Sequence, residues 1–164
     1  LAPTLCELRE HWPRWIFASV SKYFSEIATS SDLHFFIEGT HRQTKDYQKF
    51  IEFRMDGPSI TELSKNYFQI DVEINMLWSF NQDQENFHES QRITGILLNA
   101  MTDICVYRYG DDSVDNSELL GTLSLRQDKK NPIRVNNFGQ VRTDVKLMQG
   151  TVEGTFRMIL TCLN

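Results

Sequence analysis

From Phe68 to Phe80 the chain alternates: Phe68, Ile70, Val72, Ile74, Met76, Trp78 and Phe80 are apolar, while Gln69, Asp71, Glu73, Asn75 and Ser79 between them are polar. A period of two is the side-chain period of a β-strand with one face buried and one face wet. Held over this length, it makes a strand at least twice as long as an ordinary one. Straight, residues 67–80 span about 46 Å. A compact chain of 164 residues has a radius of gyration of roughly 15 Å and a diameter of about 40 Å. The strand must therefore bend strongly inside its own domain or project from it. Projection with an apolar face would recruit other chains, which makes packing on a neighbouring subunit one resolution. A coiled, bulged strand kept within the domain is the other, and the Gly57-Pro58 interruption would help it bend.

The strand has a partner in the sequence. Ile51, Phe53 and Met55 alternate with Glu52 and Arg54, and Asp56-Gly57-Pro58 supplies a turn or bulge. Residues 49–80 read as a long antiparallel pairing interrupted near 56–66, within a hairpin region of 43–80. Ahead of it, residues 1–11 form an arm or short helix in which Thr4 and Glu7 have the spacing of a capping box. Pro13 suits a first helical turn, and Trp12, Trp15, Ile16, Ser19, Val20, Tyr23, Phe24 and Ile27 fall on one helical face, predicting a helix over about 13–28. Leu33 to Ile37 reads as a short, largely buried strand.

Beyond the hairpin, Asn86 and Glu89 make a second capping box ahead of Ile93, Ile96, Leu97, Ala100 and Met101, predicting a helix over about 87–101. Ile104 to Tyr109 is apolar on both faces and suits a central strand. Further strands are expected at Leu119–Leu125, Val141–Met148 and Val152–Leu163, with turns at Asn131-Pro132 and Gly150-Thr151. Val152, Phe156, Met158, Leu160 and Cys162 share one side of the last. The order helix, strands, helix, strands lacks β-α-β alternation. It predicts a single α+β domain over 1–164, a mainly antiparallel sheet with a long hairpin and two helices on one face.

Composition excludes several classes. Apolar residues at 40% and charged residues at 24% describe a globular chain, and no apolar run is long enough for a membrane span. Lys and Arg number 17 against 22 Asp and Glu, a net charge of −5, so the footprint of a general nucleic-acid binder is missing. Cys6, Cys105 and Cys162 are odd in number and lack C-x-x-C spacing. Neither a disulfide framework nor a zinc site is expected, a reducing compartment is the default, and each cysteine reads as a small buried hydrophobe. There is no signal-peptide pattern at the start.

No motif carries a reaction. His11, His34, His41 and His88 lack metal-ligand spacing, and His34, Glu38 and His41 fit no single regular element. Asp111 to Asn116 resembles half a calcium loop but lacks its glycine and its bidentate glutamate, Thr122 standing in the latter place. There is no G-x-S-x-G elbow and no phosphate-binding glycine loop. Asp71 and Glu73 share the polar face of one strand, which suits a solvated or interface face better than a hydrolase dyad. No catalytic residue, cofactor or metal is assigned. An enzyme would have to use carboxylates around Glu38, Asp56 or Asp111.

The succession of an amphipathic N-terminal helix, FFIEG (35–39), the strand FQIDVEINML (68–77), a helix and closing strands ending in FRMILTCLN (156–164) resembles the tail terminator, or tail completion, proteins of long-tailed bacteriophages. EFRMDGPSITELSKNYF (52–68) is similar to segments of the same neck proteins, and the likeness covers about 12–164. It implies a hexameric ring that caps the tail tube, contacts the tail tube protein and the head-side connector, and lets genomic DNA pass without specific binding. The location implied is the virion neck, after assembly in the host cytoplasm. A ring of identical subunits needs heterologous contacts, and the hairpin supplies an edge and a face for them. The candidate interface is Ile51, Phe53, Arg54, Met55, Asp56, Ile60, Phe68, Ile70 and Val72. A tail-tube or other neck protein, and a soluble non-viral domain that binds a ligand or a partner's strand, are the alternatives.

Overall fold

A computed structural model describes residues 4–39, 49–81, 87–109, 118–142 and 145–162. In chain order the elements are a 3-10 turn at Cys6–His11, α1 (Trp12–Ser30), β1 (His34–Ile37), β2 (Lys49–Ser64), β3 (Tyr67–Asn81), α2 (Phe87–Ala100), β4 (Ile104–Arg108), β5 (Glu118–Arg126), β6 (Arg134–Arg142) and β7 (Val145–Thr161). The strands form one seven-stranded sheet in the order β1-β2-β3-β7-β5-β4, with β6 added to β7. Only β1 with β2 is parallel, so the sheet is mixed; the other pairings are antiparallel. It curls into a half-barrel.

β3 is the axis of the molecule. Tyr67–Asn81 pairs without a break with Thr161–Leu147 of β7 on one side and, across two register shifts, with β2 on the other. Its apolar set, Phe68 through Phe80, is buried along the whole length. The long strand is therefore kept within its own domain, bent with the sheet. Phe156, Val152, Met158 and Leu160 of β7 and Ile51 and Phe53 of β2 lie in register on the same face, and residues of both helices join them in one core.

Both helices follow from their apolar stripes. In α1, Trp12, Trp15, Ile16, Ser19, Val20, Phe24 and Ala28 are buried, with Pro13 in the first turn as expected. Phe53 sits among the rings of Phe17, Phe24 and Phe35 at 5.7, 6.0 and 5.8 Å between centroids. In α2, Ile93, Leu97 and Ala100 are buried, and Met101 follows the helix into the core. Of the two capping boxes, the first is formed, Thr4 N–H donating to Glu7 Oε2 at 2.8 Å and Glu7 N–H to Thr4 Oγ1 at 3.3 Å; Asn86 of the second lies outside the described residues. So do His41, the Asp111 to Asn116 loop and residues 43–48 of the hairpin region.

Several expectations are corrected. The hairpin is not interrupted over 56–66: a bulge between Asp56 and Ser59 shifts the register, and pairing continues to Ser64 opposite Tyr67. Gly57 makes that bulge possible, with φ +104° and the site of a Cβ only 3.0 Å from Asp71 O. There is no turn at Gly150-Thr151, because β7 runs straight through it; Gly150 is there so that the Trp78 indole can lie directly on its backbone. β4 is the last strand of the sheet rather than a central one. β1 is only half-buried beyond Leu33. A strand over 134–142 was not foreseen.

The cysteines overturn their reading most clearly. Cys6 and Cys162 are joined in a disulfide, with Cα atoms 5.4 Å apart and 156 residues between them in sequence. Cys105 is free and exposed rather than buried. The bond fastens the N-terminal turn across the turn end of the hairpin, where Cys162 N–H donates to Asn66 O, Trp12 packs edge-on to Phe68 at 5.3 Å and the Arg9 guanidinium lies 4.9 Å from the Phe68 ring.

Candidate functional site

Backbone hydrogen bonding distinguishes the sheet edges. The outer edge of β4 is occupied by α1: Tyr107 N–H donates to Ser19 Oγ at 2.9 Å, and Trp15 Nε1–H donates to Tyr109 O at 3.0 Å. β1 covers β2 only from Phe50 to Phe53, and Glu38 N–H closes that stretch on Phe53 O at 2.9 Å. From Arg54 to Ser64, no strand among the described residues pairs with the outer edge of β2. The outer edge of β6 is likewise unpaired among the described residues. An unpaired edge is a template for adding another strand.

Both open edges carry exposed apolar side chains. On the β2 side these are Ile60 and Leu63, with Tyr67 opposite Ser64; on β6 they are Val135 and Phe138. Leu63 (55% exposed) and Phe138 (57%) each lie inside a register shift, between Glu62 and Ser64 and between Asn137 and Gly139. Bulges at an edge spoil a flat ladder and limit indiscriminate pairing.

The face of the sheet away from the helices is polar and tightly ordered. Asp71 accepts from Arg157 at 2.7 and 3.2 Å and from Gln69 at 3.2 Å. Hydrogen bonding from Arg157 holds the Asp71 carboxyl below its ordinary range and raises the arginine in turn. The row continues with Asn75 donating to Glu153 at 2.7 Å, Asn136 to Thr151 at 3.2 Å and Gln149 to Ser79 at 2.9 Å. Such cross-strand pairs hold the register of a sheet. The segment 130–132 overhangs this face and encloses about 300 Å³ with Arg54, Asp56, Glu73, Glu153 and Arg134.

The expected interface residues divide sharply. Ile51, Phe53, Phe68, Ile70 and Val72 are buried in the chain's own core and present no surface to a neighbour. Arg54, Asp56 and Ile60 are exposed and Met55 is half-buried. Arg54 bridges Glu38 at 3.5 Å and Asp56 at 3.3 Å, so these two carboxylates share one guanidinium in an exposed surface network. Asp71 is held by Arg157, and no group of three metal-ligating side chains occurs among the described residues. Between helix and sheet, the gap lined by Trp12, Ile16, Ile70, Val106, Leu120, Met158 and Leu160 holds about 10 Å³, the space of one water at most.

Leu63, Val135 and Phe138 were missed for an identifiable reason. Leu63 belongs to TELS and Phe138 to NNFG, so each is a single apolar residue among polar ones and carries no periodic signal. No helix among the described residues is long and apolar enough to cross a membrane. Comparison with known protein families and with curated proteins finds no match to this chain.

Proposed function

We propose that this chain is a structural subunit that assembles with copies of itself into a ring, in the manner of a tail terminator of a long-tailed bacteriophage. The observation that carries the reading is the edge of β2 over 54–64, unpaired among the described residues, exposed or partly so along its length and bearing Ile60 and Leu63. A self-contained monomer gains nothing from such an edge and is endangered by it, whereas an assembling subunit uses it. In that role the ring is a hexamer that caps the tail tube and meets the head-side connector. Six copies of a chain with net charge −5 carry about −30, which disfavours adhesion of the DNA that passes through. A tail-tube or other neck subunit would use the same edge.

Electron microscopy of the purified protein, with mass measurement in solution, tests this. Short closed rings support the terminator and long open tubes a tube subunit. A strict monomer at millimolar concentration overturns both.

A second reading rests on the Cys6–Cys162 disulfide. Disulfides persist in oxidising compartments, and a partner-binding domain there would use the same open edge to capture a strand of a different protein. It predicts a monomer whose disulfide is complete when the protein is isolated from its native compartment. For the ring, a bond that closes after the particle leaves the cell fits equally.

A further inference from the structure

We infer that the two edges left open among the described residues are the two halves of one heterologous joint: β2 over 54–64 of one copy adds to the outer edge of β6 in the next copy. The inference rests on the ring reading above and names its contact surfaces.

Strand direction allows the joint. β2 is antiparallel to β3, β3 to β7 and β7 to β6, so β2 and β6 run in opposite directions. A neighbour generated by rotation about an axis roughly along the strands therefore presents its β6 antiparallel to β2. Charge selects it. Over 54–64 the β2 edge bears Arg54, Asp56 and Glu62; Arg54 and Asp56 pair with each other, leaving Glu62 as its unmatched charge, whereas the β6 sequence opens on Arg134 and holds no acid. Centred antiparallel pairing of β2 over 54–64 with a second β2 would set Asp56 opposite Glu62, and like charges directly opposite are destabilising. Pairing β6 with β6 would give Arg134 no acid to face, since β6 holds none. The bulged apolar residues, Leu63 on one edge and Phe138 on the other, leave each edge able to accept a shaped partner and poor at accepting a flat one.

Register sets the geometry of the assembly. β6 is level with the beginning of β2, since Arg134 lies opposite Glu153, Glu153 opposite Asn75 and Asn75 opposite Arg54. At that level β1 already occupies β2. The joint is consequently staggered along the strands. In a closed ring that stagger is absorbed by strands tilted to the ring axis, as in barrel closure; without closure it becomes the rise of a helical filament.

The test uses the full chain with one edge disabled at a time, by Leu63→Asp for β2 and Phe138→Asp for β6. Both side chains are mostly exposed, so folding should survive, and circular dichroism verifies it. Light scattering is expected to find wild type as a higher oligomer, each variant as a monomer, and the equimolar mixture at millimolar concentration as a dimer of twice the monomer mass. Either variant retaining the wild-type mass, or a mixture that stays monomeric, overturns the joint while leaving the ring reading intact. Phe138→Asp assembling normally while Leu63→Asp does not would mean a β2-to-β2 contact and also overturns it. A monomeric wild type removes the ring reading itself. A second pair, Glu62→Lys and Arg134→Glu, guards against misfolding: each should weaken assembly alone and the two should restore it when mixed, and failure of these folded variants to complement likewise overturns the inference.

Discussion

β2 and β3 are the two arms of one hairpin, nearly equal in length, yet they meet opposite fates. β3 has a paired strand on each side and helices above it, and every alternate residue from Phe68 to Phe80 is buried. β2 is buried only while β1 flanks it and α1 covers it; beyond Phe53 its outer edge opens and its residues are exposed or partly so. What a strand buries is decided by its neighbours as much as by its own alternation. The same hairpin can thus hold the subunit together through one arm and remain available to another molecule through the other.

The hardest way to break this contrast is to place a charge on the wrong arm. Phe53→Asp puts a carboxylate among three aromatic rings and should cost more than about 4 kcal/mol, enough to unfold a domain of ordinary stability. Loss of the cooperative urea transition is the expected result. This reverses the expectation attached to Phe53 as an interface residue, because a side chain enclosed by its own subunit has nothing to offer a neighbour.

The clasp over the turn end of the hairpin comes next. Cys6→Ser, or reduction of the wild type, should lower stability by about 2–4 kcal/mol, since the bond closes a very long loop in the unfolded chain. Urea midpoints with and without reductant measure it, and an unchanged midpoint would show that Trp12 and Phe68 hold the end unaided.

At the other end of the hairpin, Glu89 of α2 pairs with Lys49 of β2 at 2.7 Å and with Arg92 at 2.6 Å. Hydrogen bonding from Arg92, with Lys49 second, lowers its carboxyl from 4.5 to about 2. Because the folded value is depressed, the contribution is complete above about pH 4.5 and fades as pH falls toward 2. Glu89→Gln should cost about 1–2 kcal/mol at neutral pH, allowing for solvent screening. Its deficit against wild type should shrink through that acid window, as urea titrations at several pH values will show; a constant deficit would mean that the pair contributes through packing alone.

Smallest of all, Leu63→Asp should change subunit stability by less than about 0.5 kcal/mol. A large loss would place Leu63 in the core and erase the distinction between the two arms.

Much of this was legible in the chain. The burial of β3, both helical stripes, the first capping box and the shared side of Val152, Phe156, Met158, Leu160 and Cys162 follow from periodicity, because each element has a single face toward one core. What misled was local punctuation. Gly57-Pro58 and Gly150 look like chain breakers, but one is a bulge within continuing pairing and the other makes room for Trp78. Ile104 to Tyr109 looks central because it is apolar on both faces, yet it is an edge closed by Ser19 and Trp15 of α1 rather than by another strand. Of the residues named as an interface, Ile51, Phe53, Phe68, Ile70 and Val72 are buried in the chain's own core, whereas Arg54, Asp56 and Ile60 are exposed.

The sequence by itself determined which residues turn inward, since a period of two or of 3.6 is a property of the backbone and needs no knowledge of what lies opposite. Only the tertiary structure decided which strands are neighbours, which edges remain open and that Cys6 meets Cys162. Those outcomes depend on contacts between residues far apart in the chain, and no local pattern encodes them.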